Sequence, residues 1–252
     1  VAARVVAAAD LTPGDTVVEV GPGRGALTRH LAGKVARLIL VEVDSGLAAG
    51  LRERYADDGS VEVIEADARL LDVAEIPGLR GGAYKMVGNL PYYAATPIIR
   101  RFLESTHPPR LMVVMVQREV ARQMTAAPGR MGLLSVAVQL YALTRRVCNV
   151  PPRAFAPPPK VHSTVVRLDV PGSPALELDS TEGFFTVVRA GFSAPRKQLR
   201  NSLANGLRVS GEDAGALLAD AGLDGTRRPA TLSLAEWGTL YRAWRRRAGG
   251  SG

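Results

Sequence analysis

The chain has 252 residues, 46% of them apolar and 22% charged, a balance that fills a hydrophobic core and excludes disorder as its main state. A soluble protein is expected: the longest uncharged stretch in the middle of the chain, residues 131–144, falls short of the roughly 20 apolar residues needed to cross a bilayer, and residues 1–9 lack a basic leader. The net charge of +8 is unevenly placed, with 11 basic and 13 acidic side chains in residues 1–100 against 21 and 11 in residues 101–252.

That excess beyond residue 100 reads either as a solvated Arg-rich surface or as an electrostatic footprint for phosphate backbones. A single cysteine, Cys148, excludes a disulfide framework and a cysteine-ligated metal cluster and fits a reducing compartment. His30, His107 and His162 are scattered without ligand spacing, so no metal is expected.

Along the chain, β-branched runs alternate with helical spacing. Strands are predicted over 16–20, 38–43, 61–65, 85–88 and 111–116, and helices over 24–31, 45–55, 96–105, 117–125 and 133–143. The pattern is that of a doubly wound α/β sheet. Residues 146–150 and 163–170 flank the proline-rich stretch 151–159 and predict a closing antiparallel pair joined by an extended excursion. Beyond a linker at 171–174 only helical segments follow, near 181–192, 196–204, 211–221 and 234–247, the last opened by a Ser233/Glu236 capping box. Two domains are expected, 1–170 and 171–252.

Four motifs carry chemistry. Gly21, Gly23 and Gly25 follow the first strand and are expected to open a helix, where backbone amides can approach a ligand. Gly21, Gly23 and Ala26 also satisfy a relaxed dinucleotide fingerprint, with Glu42 about 20 residues on where that fold places its ribose-binding acid, so a nicotinamide enzyme stays open at this point. Asp67 follows the third strand, at the tip where an adenine amine would lie if a nucleoside ran from Glu42 across the carboxyl edge; by itself it equally suits a turn cap.

Asn89-Leu90-Pro91-Tyr92 follows the fourth strand and decides the reading. An exocyclic adenine amine is a poor nucleophile because its lone pair is delocalised into the ring. An Asn carboxamide oxygen and a neighbouring carbonyl can accept both amine hydrogens and aim the lone pair at an electrophilic methyl, while Pro91 stiffens the turn and Tyr92 offers a stacking face. Arg196, Lys197 and Arg200, with Leu199 and Leu203 between them, are expected to form a basic stripe on one helix above a buried seam. Arg245 to Arg247 suit a helix C-terminus.

With these motifs assembled, the sequence resembles the bacterial 16S ribosomal RNA adenine dimethyltransferases, the kasugamycin-sensitivity enzymes. The likeness runs through Val18-Glu-Val-Gly-Pro-Gly, Val41-Glu-Val-Asp, Asp67-Ala, Gly88-Asn-Leu-Pro-Tyr, Thr96-Pro, Gln117-Arg-Glu-Val, the proline-rich signature from Pro151 through Arg153 to Lys160-Val, Val165-Val-Arg-Leu, and Arg196-Lys-Gln-Leu-Arg-Asn-Ser-Leu. It implies a Rossmann-like S-adenosylmethionine-dependent methyltransferase sheet followed by a small helical C-terminal domain. The implied reaction uses S-adenosyl-L-methionine, and no metal, to methylate N6 of two adjacent adenosines, twice each, in the 3′-terminal hairpin loop of 16S rRNA.

Position by position, the resemblance implies cofactor contact at Gly21, Gly23, Glu42, Asp67 and Asn89. It puts the target adenine at Asn89, Leu90, Pro91 and Tyr92, and RNA contacts at Arg153, Lys160, Arg196, Lys197 and Arg200. It further implies a monomeric cytoplasmic enzyme acting on the immature small ribosomal subunit. The family carries an earlier segment with a Gln-Asn-Phe-Leu motif, so the resemblance implies an N-terminally shortened sequence. His162 stands where the family usually has Asp, and Ala194-Pro195 replaces Gln-Arg, which weakens one implied RNA contact. The alternatives are a 23S methyltransferase of the erythromycin-resistance type, against which the proline-rich signature and residues 196–203 argue, and a non-catalytic small-subunit assembly factor.

Overall fold

A computed structural model describes residues 1–80, 83–155 and 158–249. The chain forms two compact units, one of residues 1–122 with 141–173 and the other of residues 123–140 with 174–252.

The first unit opens with α1 (Ala2–Ala8) and continues through β1 (Thr16–Val20), β2 (Arg37–Glu42), α2 (Ser45–Arg54), β3 (Val61–Glu65), β4 (Tyr84–Asn89), α3 (Ala95–Leu103) and β5 (Leu111–Gln117), and α4 (Arg118–Met124) begins in it and ends in the second. After α5 (Leu133–Gln139), the chain returns as β6 (Leu143–Val150) and β7 (Ser163–Asp169). The sheet order is β3-β2-β1-β4-β5-β7-β6, with β1 to β5 parallel and β7 antiparallel to both β5 and β6. Central strands such as β5 are buried on both faces, which is why they read as near-continuous apolar runs. The edge strand β6 exposes Arg145 and Arg146 and shifts register between Arg146 and Cys148, features that blunt a free sheet edge.

At the amino-terminal edge of the sheet, buried Lys85 donates to Asp15 at 2.8 Å, and Arg110 pairs with the same carboxylate. This end of the sheet is consumed by internal ion pairs.

The helix expected over 24–31 is not α-helical. Only a 3-10 turn, Thr28–His30, forms there, because Gly25 and Gly33 at φ +78° and +71° turn the chain at both ends of a segment too short for two α-turns.

The second unit holds α5, then α6 (Thr181–Gly191), α7 (Leu199–Leu207), α8 (Gly211–Asp220) and α9 (Leu234–Gly249). Phe184, Trp237 and Tyr241 fill its core, with Phe184 edge-on to Tyr241 at 5.9 Å. The capping box forms as expected: Ser233 N–H donates to Glu236 at 2.7 Å and Glu236 N–H to Ser233 Oγ at 3.2 Å.

The expected boundary near residue 170 places 123–140 with the sheet, whereas the structure groups them with the helices. The amides of Gly129 and Met131 both donate to the Ala230 carbonyl, and the Ala175 amide donates to Leu140. These bonds join residues some 35 to 100 positions apart and leave no local signature. Among the described residues no helix is long and apolar enough to cross a membrane.

Candidate active site

The order β3-β2-β1-β4 turns four separated sequence positions into one row. All four strands end on the same edge, and at about 4.8 Å per strand the tips of β3 and β4 stand about 14 Å apart. Asp67 lies just past β3, Glu42 ends β2, Gly21 follows β1 and Asn89 ends β4. The chain reverses its direction of sheet growth between β1 and β4, the switch point at which open α/β sheets form a ligand crevice.

Glu42, only 6% exposed, anchors the row. Its Oε2 accepts the Gly23 amide at 3.0 Å, and its Oε1 accepts the amides of Val43 and Asp44 at 3.0 and 3.1 Å. A carboxylate offers about four lone-pair sites, so three fixed donors leave about one acceptor position for a ligand. Asp44 then caps α2 by accepting the Leu47 amide at 2.9 Å. Gly21 and Gly23 take φ of +69° and +57°. With no α-helix behind the loop, no helix dipole acts there, and its glycine amides are engaged internally, Gly21 with the Val41 carbonyl, Gly23 with Glu42 and Gly25 with the Pro22 carbonyl, which corrects the expectation drawn from the glycine spacing.

Gly88 fixes the other side of the switch point. A Cβ there would stand 2.7 Å from the Val20 carbonyl oxygen, so only glycine lets the ends of β1 and β4 close and brings Asn89 beside Gly21. Asn89 is exposed, and Leu90 is buried with its amide donating to the Met115 carbonyl at 3.2 Å. The Pro91 carbonyl accepts the Ala94 amide at 2.9 Å, which closes the turn into α3. Half-buried Tyr92 places its hydroxyl 2.8 Å from Ser163 Oγ on β7.

Gly21, Gly23, Glu42, Asp67, Asn89, Leu90, Pro91 and Tyr92 line one cavity of about 440 Å³. Arg69, Tyr93 and Phe155 are among the other residues lining it, and no motif in the sequence marks them as site residues. Phe155 lay inside the proline-rich signature and Tyr93 next to Asn89–Tyr92, but nothing local says that either faces the strand tips. Asp67 accepts Arg69 through both carboxylate oxygens, and this pairing holds its pKa below the ordinary carboxylate range.

Glu19 is the remaining ionisable group of the row. It is 1% exposed, its Oε2 has no hydrogen-bond partner, and burial, aided by the charge of Glu42, pushes its pKa up to about 7. With Asn89 and Phe155 it borders a second cavity of about 150 Å³.

The five basic candidates fall into two groups. Arg153 and Lys160 are exposed on the excursion between β6 and β7, either side of Phe155 and Pro159, which line the larger cavity. Arg196, Lys197 and Arg200 are exposed in the second unit. The expected single helical stripe is corrected: α7 begins at Leu199, so Arg196 and Lys197 sit in the turn before it and only Arg200 is on the helix, while Leu199 and Leu203 form the buried seam. No carboxylate pairs with these three among the described residues, whereas Arg227, Arg245 and Arg247 are taken up by Glu236, Asp179 and Asp220. Among the described residues no group of three or more His, Cys, Asp or Glu is placed to hold a metal ion.

A family model described as ribosomal RNA adenine dimethylase matches residues 1–240. The chain is 44% identical to ribosomal RNA small subunit methyltransferase A of Dehalococcoides mccartyi strain 195, over 94% of this chain and 81% of that one. It is also 44% identical to the protein of the same name from Pelotomaculum thermopropionicum, over 94% and 84%. Among solved structures, the 23S rRNA methyltransferase ErmE superposes with a TM-score of 0.74 at 30% identity, covering 96% of each chain. A dimethyladenosine transferase from Plasmodium falciparum shares the fold, with a TM-score of 0.81 at 23% identity over 98% of this chain and 96% of that one. Since the match takes in the strand tips around the cavity as well as the helices beyond them, the chain belongs to the ribosomal RNA adenine dimethylase family.

Proposed function

We infer that the protein is an S-adenosylmethionine-dependent rRNA adenine N6-dimethyltransferase acting on small-subunit rRNA, at the two adjacent adenosines of the 3′-terminal hairpin loop of 16S rRNA. The observation that carries this is the row Asp67, Glu42, Gly21–Gly23 and Asn89 along one cavity, which has the length and donor set of a nucleoside joined to an amino acid. A cavity of about 440 Å³ also lies within the roughly 300–1,000 Å³ typical of small-molecule sites. The names of the relatives favour the small subunit over the 23S alternative.

Glu42 would accept one ribose hydroxyl through its remaining acceptor position, Asp67 would accept the purine amine, and the backbone of the glycine loop at Gly21 and Gly23 would pack along the sugar. When bound, S-adenosylmethionine supplies an electrophilic methyl group on a sulfonium centre. Asn89 accepts one hydrogen of the target amine and so aims its lone pair. The second acceptor is assigned to the Leu90 carbonyl, the main-chain oxygen that follows Asn89 directly, whereas the Pro91 carbonyl is directed into the turn by the Ala94 amide. Tyr92 and Phe155 provide apolar faces for a base taken out of its stack. No side chain need remove a proton first, since the N–H proton is acidified only as the N–C bond forms and can leave to water.

The sheet unit is assigned to catalysis and the helical unit, with its free cations, to RNA. Immature small subunits as the substrate particle, a monomeric state and a cytoplasmic location belong to the same proposal and rest on the family resemblance. The test is dimethyladenosine mapping in 16S rRNA from cells lacking the gene, complemented with wild type or with Asn89→Ala. Restoration by the wild type alone supports the assignment. Full restoration by Asn89→Ala overturns the role of Asn89, and an unmodified site in both overturns the reaction.

A further inference from the structure

The carboxylate that the proposed function assigns to the purine amine is already engaged. Asp67 Oδ1 accepts the Arg69 amide at 2.9 Å and Nε at 3.0 Å, and its Oδ2 accepts Nε at 3.0 Å and Nη2 at 2.6 Å. Against about four lone-pair sites, these bonds leave little capacity for a further donor. Arg69 lies at the cavity wall beside Asp67, with its Cζ 6.0 Å from the centre of the Tyr93 ring, and that ring is 77% exposed. Guanidinium, carboxylate and ring therefore meet where the purine of a nucleoside would end.

We propose that Arg69 is a specificity-determining latch: in the free protein it competes for Asp67, and it yields that carboxylate only to a ligand whose purine carries an exocyclic amine. The proposal rests on the assignment of Asp67 as acceptor of that amine. Magnitudes permit the exchange. The Arg69–Asp67 pair has side chains 47% and 23% exposed, and ion pairs so open to water are weak, whereas a neutral amine donating to a carboxylate inside a cavity makes one of the stronger classes of hydrogen bond. The guanidinium already stands over the Tyr93 ring while paired to Asp67, a contact that does not depend on the carboxylate and can be kept when Asp67 is given up. A ligand that must open the latch binds more weakly by the fraction of protein already open. A purine with an oxo group in place of the amine has nothing to donate to Asp67 and leaves the latch shut.

The test is calorimetric titration of the full chain with S-adenosylhomocysteine and with its inosine analogue, for wild type, Arg69→Ala, Asp67→Asn and the double variant. The expected result is that Arg69→Ala binds the adenosine ligand about two- to fivefold more tightly, the scale on which an exposed ion pair competes, while affinity for the inosine ligand is unchanged. Asp67→Asn should weaken the adenosine ligand, and adding Arg69→Ala to it should change nothing further. The Arg69 Nε–H resonance in the wild type should move on saturation with the adenosine ligand and stay put with the inosine one.

Equal or weaker binding of the adenosine ligand by Arg69→Ala, with Asp67→Asn still impaired, overturns the latch alone and makes Arg69 a lid over the purine. Unchanged adenosine binding by Asp67→Asn overturns the acceptor assignment, and the latch with it.

Discussion

The Tyr92 hydroxyl and Ser163 Oγ lie 2.8 Å apart, tying the turn after β4 to the first residue of β7, where Ser163 is fully buried. The contact fixes the ring that the sequence offers only as a stacking face. A neutral hydrogen bond contributes about 0.5–1.5 kcal/mol, so Tyr92→Phe should lower single-turnover methylation by roughly two- to tenfold. Ser163→Ala should lower it equally, and the double variant no further. Tyr92→Ala loses the ring as well and should fall lower, by the roughly 1–3 kcal/mol of a stacked base. An unaffected Ser163→Ala beside an impaired Tyr92→Phe would show instead that the hydroxyl works on the substrate.

Glu42 holds the glycine loop and is assigned to the ribose, so its loss should appear in two measurements. Glu42→Ala should weaken binding of S-adenosylhomocysteine by about 10- to 150-fold, the scale of hydrogen bonds to a charged group, and should lower the melting temperature because three backbone donors lose their acceptor. Affinity equal to wild type in a folded variant would remove Glu42 from the binding site.

Glu19 predicts a pH dependence of stability with a definite sign. Its pKa rises from 4.5 to about 7 on folding because burial disfavours the charged form. Between those values the folded protein binds more protons than the unfolded chain. This contribution is therefore full below pH 4.5 and is lost as pH rises through about 7, at a cost on the order of 3 kcal/mol. Glu19→Gln should gain stability relative to wild type in urea unfolding as pH goes from 5 to 8. A constant difference between the two proteins across that range would contradict the shift.

Arg196, Lys197 and Arg200 have no carboxylate partners among the described residues and are free to meet phosphates. Reversing all three to Glu should flatten the log–log salt dependence of binding to small subunits by about 2 to 3, at roughly 0.7–0.9 per phosphate. Affinity for S-adenosylhomocysteine should be unchanged. An unaltered salt slope would mark the three as a solvated surface.

Much of the sheet was legible because a parallel strand buried on both faces leaves a run of β-branched residues. The runs at 16–20 and 61–65 coincide residue for residue with β1 and β3. The expected strand at 146–150 starts three residues after β6 does, because Leu143 and Arg145 lie on an exposed edge and carry no burial signal. The expected helix after the glycine loop was lost to Gly25 and Gly33, since the apolar spacing of that segment says nothing about φ.

The strand-end chemistry is written in short contiguous motifs, acids, glycines and Asn-Leu-Pro-Tyr at the ends of apolar runs, and is recognisable for that reason. Folding settles which of these ends stand side by side, that Glu42 holds the loop at Gly23, that Arg69 occupies Asp67, and that residues 123–140 pack with the helices. The physical reason is the same throughout. Local periodicity reports which face of an element is buried, whereas strand order, side-chain pairing and domain membership arise from contacts between residues far apart in the chain, which leave no pattern in any single window of sequence.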